Sequence, residues 1–319
     1  MSVTPSGTAT AREVDDRESF AFVMNVSRFT EFETLELAPG HHIRRANKEE
    51  IDEIRKMIES LGRIQPFSGG AWESCWSADG SQKEKLEPER WRYFVIAFRG
   101  NNLTFHKLSN ACILSSAEPD VGPMWFKSKM EGMGWHSERL IQSMDDAAFS
   151  RDYFIDLCKK DVEEIIEIHG RLSEHNHTIV DLDQVVNQLK DLKALPRKSD
   201  LRFLGYFAVL ESLLTHLPKP SDPYDSITRQ VKKKLVLLNS RFPESIDYAS
   251  FGDANADTIW SKMYQYRSQI AHGASPTFTG ELQILQSPEQ ARALVIATTK
   301  AVARQALREP RLIADLRDC

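Results

Sequence analysis

Arg267 and His272 stand five positions apart in the segment Tyr266-Arg267-Ser268-Gln269-Ile270-Ala271-His272-Gly273. A guanidinium is a permanent, fork-shaped phosphate ligand, and an imidazole moves protons near neutral pH. Together they suit metal-independent cleavage of RNA. An imidazole titrating near pH 6.5 can take the 2′-hydroxyl proton or protonate the leaving 5′-oxygen. The freed 2′-oxygen attacks phosphorus, and the guanidinium stabilises the charge that grows on the phosphoryl oxygens. The expected products are a 2′,3′-cyclic phosphate and a 5′-hydroxyl. On a straight helix, five residues at about 100° each put the two side chains roughly 140° apart. A frayed last turn at Gly273, or a second copy of the chain across a dimer, would bring both to one phosphate. The bland reading is a surface arginine beside an apolar stripe and an ordinary C-terminal cap.

Other residues qualify around this pair. Glu211 lies between Phe207 and Leu214 on an apolar stripe, where a carboxylate either pairs with Arg267 or orients reacting groups. Ser268 offers a hydroxyl to a phosphate. Lys232 and Lys233, in a run with Lys234, are a solvated face or contacts for an RNA backbone, and Tyr264 is a candidate base-stacking platform. His169 reads as a core histidine, and the tryptophans as core. His41-His42 and His175-Asn176-His177 lack Cys or carboxylate companions at ligand spacing. Neither metal nor cofactor is expected.

Stepping outward, the second half is patterned for helices. Ile155, Cys158, Val162, Ile165, His169 and Leu172 recur every three or four residues and predict one long helix. Leu182 to Leu192 predicts the next, ending before Pro196. Ser199-Asp200 caps a third carrying Phe203, Phe207, Leu210 and Leu214. Ile227, Val231, Leu235 and Leu238 make a fourth; Ile259, Met263, Tyr266 and Ile270 a fifth, stopped by Gly273; Ser287-Pro288-Glu289 opens the last. Short connections between them predict an all-α bundle.

The first half mixes patterns. Ser19–Val26 and Glu33–Leu37 are strand-like, and Pro39-Gly40 turns the chain into a return arm over 42–45. Asn47 followed by Glu50 is a capping box for a helix through Ile58. Trp91–Phe98 predicts a strand, a turn at Gly100-Asn101-Asn102 follows, and the alternating Leu103–Lys107 predicts its partner. The expectation is a disordered polar arm over 1–16, an α+β domain over 17–142 of sensor or scaffold type, and a helical domain over 143–319.

A net charge of −5 argues against a broad nucleic-acid-coating surface. No apolar run reaches the roughly 18 residues of a membrane span, and the N-terminus lacks an apolar signal core. Four scattered cysteines, Cys75, Cys112, Cys158 and Cys319, suit a reducing cytoplasm.

With Phe203-Leu204-Gly205-Tyr206-Phe207-Ala208-Val209-Leu210-Glu211-Ser212-Leu213 on one helix and Arg267 to His272 on a later one, residues 150–310 resemble HEPN domains, most closely the ApeA-like branch. Arg267–His272 resembles their Rx4–6H motif. Leu35–Glu50 resembles segments that precede such domains. The resemblance implies a metal-independent endoribonuclease working as a homodimer, with two Arg/His motifs meeting in one composite site. It implies a regulated toxin or antiphage effector with RNA, including tRNA, as substrate; control by the N-terminal part, a partner protein or a ligand is expected, with a phage component as a candidate trigger. Arg267 and His272 match the motif, and Glu211 corresponds more loosely to a polar residue of the earlier helix. Ser268 departs from the pattern, since Asn, Asp or His often follows the arginine in active members. That departure leaves open a non-catalytic RNA- or nucleotide-binding module, or a regulatory subunit of a defence complex.

Overall fold

A computed structural model describes residues 18–60, 72–77, 80–87, 91–99, 102–127, 131–134, 137–149, 151–175, 179–218 and 225–319. The arm at 1–16 and the Gly100-Asn101 part of the expected turn lie outside them. The first half folds as β1 (Ser19–Val23), β2 (Val26–Phe29), β3 (Thr34–Ala38), β4 (His41–Arg45), α1 (Lys48–Ser60), β5 (Trp72–Ser77), β6 (Gly80–Lys85), β7 (Phe94–Phe98), α2 (Asn102–Leu114), β8 (Val121–Lys127), β9 (Glu131–Gly134) and α3 (Ser137–Phe149). Six strands form an antiparallel sheet in the order β3-β4-β7-β1-β8-β9, while β5 and β6 pair separately.

Side chains alternate between the two faces along β1, and all five residues are buried, which suits its central place. Phe20 and Phe22 face one side, packed with Ile51, Ile54 and Met57 of α1 and Leu140 and Met144 of α3. Ala21 and Val23 face the other, against α2. The capping box is formed: Asn47 Oδ1 accepts from the Glu50 N–H (3.0 Å), and Glu50 accepts from the Asn47 N–H (2.8 Å). Arg44 donates to both oxygens of Glu50 at 2.8 Å each, anchoring the helix to β4.

Leu103–Lys107 is not a strand. It is the start of α2, whose Phe105, Leu108, Ala111 and Cys112 are buried at helical spacing. Five alternating residues are too few to separate a period of 2 from one of 3.6. Nor is Ser19–Val26 one strand: the chain turns at Met24-Asn25 before β2.

After β10 (Ile155–Leu157), which pairs in parallel with β2, come α4 (Lys159–Glu174), α5 (Leu182–Lys193), α6 (Asp200–Leu214), α7 (Ile227–Asn239), α8 (Ala256–Ala271), α9 (Pro288–Arg308) and α10 (Pro310–Asp318). Most expected helices are present, with one trimmed. Ile155 sits in β10, and Cys158 is the N-cap of α4, so the predicted first helix begins four residues later. Its buried stripe is Val162, Ile165, Ile168 and Leu172, with His169 beside it, half-buried. The amphipathic α10 was not expected.

The parts share one core. Sheet residues Ala21 and Val23, α2 residues Leu108 and Ala111, and helical residues Val162, Leu210 and Val302 belong to one contiguous apolar cluster. Helix α3 runs through 142/143, and α2 packs on α4, α5 and α9. A cut at 142 therefore exposes those faces instead of freeing a domain. Within the helical half, α6 is the hub, touching α5, α7, α8, α9 and α10. Gly205 permits its approach to α5, since a Cβ there would stand 2.1 Å from Leu192 Cδ2. Gly205→Val is expected to lower stability by ~1–3 kcal/mol through overpacking, read as the shift of the urea-unfolding midpoint. No helix among the described residues is long and apolar enough to cross a membrane.

Candidate functional site

The sequence motif lies on α8. Asn255 caps the helix by accepting from the Thr258 N–H (2.8 Å), and Ile259, Trp260, Met263 and Tyr266 bury one face. Tyr266 packs on Phe203 of α6, with ring centroids 4.7 Å apart. That packing fixes the rotation of α8 and presents Arg267 to Glu211 on α6, Nη2 to Oε2 at 3.4 Å. The arginine side chain keeps 38% of its surface exposed. Burial raises the Glu211 pKa more than the Arg267 charge lowers it. The Tyr264 hydroxyl lies near this carboxylate and is held well above its ordinary range, by burial first and by the Glu211 charge second. Neither Glu211 Oε1 nor the Tyr264 hydroxyl has a hydrogen-bond partner among the described residues.

The end of α8 is a Schellman turn: Gly273, at φ 74°, donates to Ile270 O (2.9 Å), and Ala274 donates to Gln269 O (2.9 Å). The His272 N–H donates to Ser268 O at 3.1 Å, so the last turn is helical and not frayed. Ser268 and His272 are exposed. Glu211, Tyr264 and Arg267 thus form one polar contact between α6 and α8, while Ser268 and His272 face solvent without joining it.

The RNA-backbone candidates divide. Lys232 Nζ lies 2.7 Å from both Asp257 and Ser261 and ties α7 to α8. Lys233 is exposed, and Lys234 turns inward to donate to Leu214 O (2.8 Å). Tyr264 is no open stacking platform, because its ring meets Phe207 edge-on at 5.2 Å. Trp125 stacks on Phe20 (4.7 Å) in the core. The described residues contain no group of three or more His, Cys, Asp or Glu placed to hold a metal.

A second polar site went unread in the sequence. Asp120, 2% exposed, accepts from Arg139 Nη2 (2.5 Å), Ser143 Oγ (2.6 Å) and the Tyr153 hydroxyl (2.9 Å), with Lys193 Nζ at 3.2 Å. Lys193 also lies 3.0 Å from Glu118, which is paired on its other oxygen with Lys300. Asn25 binds the loop from both sides, donating to Glu118 O (3.1 Å) and accepting from the Asp120 N–H (2.6 Å). Lys300 and Arg304 of α9 donate to Ser115 O (3.2 Å) and Leu114 O (2.7 Å), the free carbonyls at the end of α2. Lys193 heads the charges that hold both carboxyls far below the usual range against burial. Burial lowers Lys300 to about 8, opposed by Glu118. These residues are scattered from 25 to 304, so no local spacing announces them; the one local hint is the acidic pair Glu118 and Asp120 around Pro119 in a loop. No family model, curated protein or solved structure matches the chain at a significant level.

Proposed function

We propose that the chain is a metal-independent endoribonuclease of HEPN type, a regulated toxin or antiphage effector that cuts RNA through its 2′-hydroxyl. The observation that carries this reading is the pairing of a fixed, part-exposed Arg267 with an exposed His272 on an α8 that stays helical to Ala271. Because the last turn is regular, the two side chains leave the helix roughly 140° apart. One chain therefore supplies half a site, and a homodimer completes it with Arg267 from one protomer and His272 from its partner. Glu211 holds the guanidinium, and the Ser268 hydroxyl, one turn before His272 on the same exposed face, is a phosphate donor on the His272 side. His272 carries the proton from the 2′-oxygen or to the 5′-oxygen; Arg267 offsets the charge at phosphorus.

Mixing Arg267→Ala and His272→Ala proteins, each inactive alone, tests the composite site. Exchange of protomers is expected to restore cleavage of total RNA in EDTA, to about a quarter of wild type if each dimer has two such sites. Absence of recovery from folded, exchanging dimers would refute it.

A second reading is a non-catalytic RNA- or nucleotide-binding module or regulatory subunit. The Glu211 pairing favours it, since it already neutralises much of the Arg267 charge. RNA binding with no cleavage, at wild type and both variants, would select that reading.

A further inference from the structure

The buried charge network lines a cavity of about 360 Å³ between the sheet half and the helical half. Its walls combine Glu118, Asp120 and Tyr153 from the first half with Lys193, Arg202 and Lys300 from the helices. Asp146, Asp152 and Arg197 stand nearer the opening, where Asp152 is exposed and pairs with Arg197 at 3.4 Å. Arg304 also lines it but is neutralised by Glu164, Nε to Oε1 at 3.3 Å.

The charges of the interior do not balance. Four cations, Arg139, Lys193, Arg202 and Lys300, face three carboxylates, Glu118, Asp120 and Asp146, which leaves one positive charge in excess. Arg202 is 8% exposed and donates from Nη1 to Leu195 O (3.1 Å); its Nε has no hydrogen-bond partner among the described residues. Uncompensated buried charge is costly, and a ligand of opposite sign relieves that cost. Asp146 also lines the cavity, half-buried and within electrostatic reach of Arg202 and Arg197. Ala293, Ile296 and Ala297, on the same face of α9 as Lys300, supply an apolar wall together with Ile155 of β10. Glu118 adopts φ 53°, a conformation unusual for a residue with a side chain, at the turn that presents its carboxylate. Such outliers concentrate where a site requires them.

We propose that this cavity binds a small organic phosphate of mononucleotide size, its phosphate meeting the excess positive charge beside Arg202 and Lys300 and its organic part lying on the Ile155–Ile296 wall. A phosphate monoester carries close to two negative charges near neutral pH. The cavity volume suits a ligand of this size, and the proposal is independent of the roles of Arg267 and His272.

Calorimetric titration and thermal unfolding of the full chain with 5′-AMP, 5′-GMP, adenosine and inorganic phosphate test it. A mononucleotide is expected to bind and to raise the melting temperature, with inorganic phosphate weaker and adenosine silent. Arg202→Met and the rim substitution Arg197→Gln should each weaken mononucleotide binding about tenfold, the loss of one charged contact. Arg308→Gln, outside this cavity, should bind as wild type. If Arg202→Met does not fold, the comparison of Arg197→Gln with Arg308→Gln decides. No binding of either nucleotide, equal affinity in the Arg197 and Arg308 variants, or adenosine binding as tightly as 5′-AMP would overturn the proposal. Inorganic phosphate binding as tightly as the nucleotides would overturn the organic half of it.

Discussion

Asp120→Ala is expected to destabilise the protein by ~3–5 kcal/mol, the cost of breaking a buried ion pair by removing one partner. The carboxylate is 2% exposed and holds Arg139, Lys193, Ser143 and Tyr153 at once. Its loss leaves Arg139 and Lys193 buried, with Glu118 still beside Lys193. The measurement is the midpoint of urea unfolding followed by circular dichroism. A shift no larger than that of an exposed control such as Asp253→Ala would mean that the network adds nothing to the fold. Acid should mimic the substitution. Asp120 and Glu118 have folded pKa values below their unfolded ones, so the unfolded chain binds more protons as pH falls. Their stabilisation is therefore fully present above the unfolded values, near pH 4, and is lost progressively as pH falls toward the lower folded values. Unfolding midpoints measured from pH 6 to pH 3 should decline, and the decline should be shallower in Asp120→Asn.

His272→Ala and Arg267→Ala are each expected to reduce RNA cleavage by ~10²–10⁴-fold, the range contributed by a positioned proton-transfer group or a transition-state charge donor. The His272 side chain is exposed at the end of α8, so its removal should leave folding unchanged. Arg267 pairs with Glu211, and its replacement leaves that carboxylate half-buried without its cation. The double replacement Arg267→Ala with Glu211→Gln separates the two effects: it should recover stability without recovering cleavage. The readout is cleavage of total RNA in EDTA, with the 2′,3′-cyclic phosphate end identified on the products. Activity that requires a divalent ion, or wild-type rates in both variants, would remove these residues from the chemistry.

Local pattern carried much of the architecture. The Asn47–Glu50 capping box, the Ser199 cap and the Gly273 stop each depend on neighbours within a few residues, and each forms where the sequence places it. The same holds for the stripes of α5, α7 and α8, because one buried face writes a period of 3.6 into the chain. Where burial comes from more than one side, that signal fades. Helix α2 lies between the sheet and α4, α5 and α9, its apolar residues spread around the axis, and its first turn imitates a strand. Ile155 belongs by spacing to the stripe of α4 and by pairing to β10, since the hydrogen bonds it makes reach Asn25 and Ser27, about 130 positions away.

The candidate site divides in the same way. Residue type and spacing alone singled out Arg267, His272 and Glu211, because their chemistry is local to two helices. Only the packing of Tyr266 on Phe203 set Arg267 against Glu211, and only the regular last turn separated Arg267 from His272 around the helix. Tertiary structure also gave Tyr264 and Lys232 partners that the chain does not announce, turning one against Phe207 and the other toward Asp257. The charged cavity belongs wholly to the tertiary structure. Asn25, Asp120, Lys193, Arg202 and Lys300 are ordinary polar residues in the chain, and burial at the junction of sheet and helices makes their charges interact. A sequence records which groups a chain owns and which face of a helix turns inward; distance and dielectric, which decide what charges do to one another, exist only after the distant segments meet.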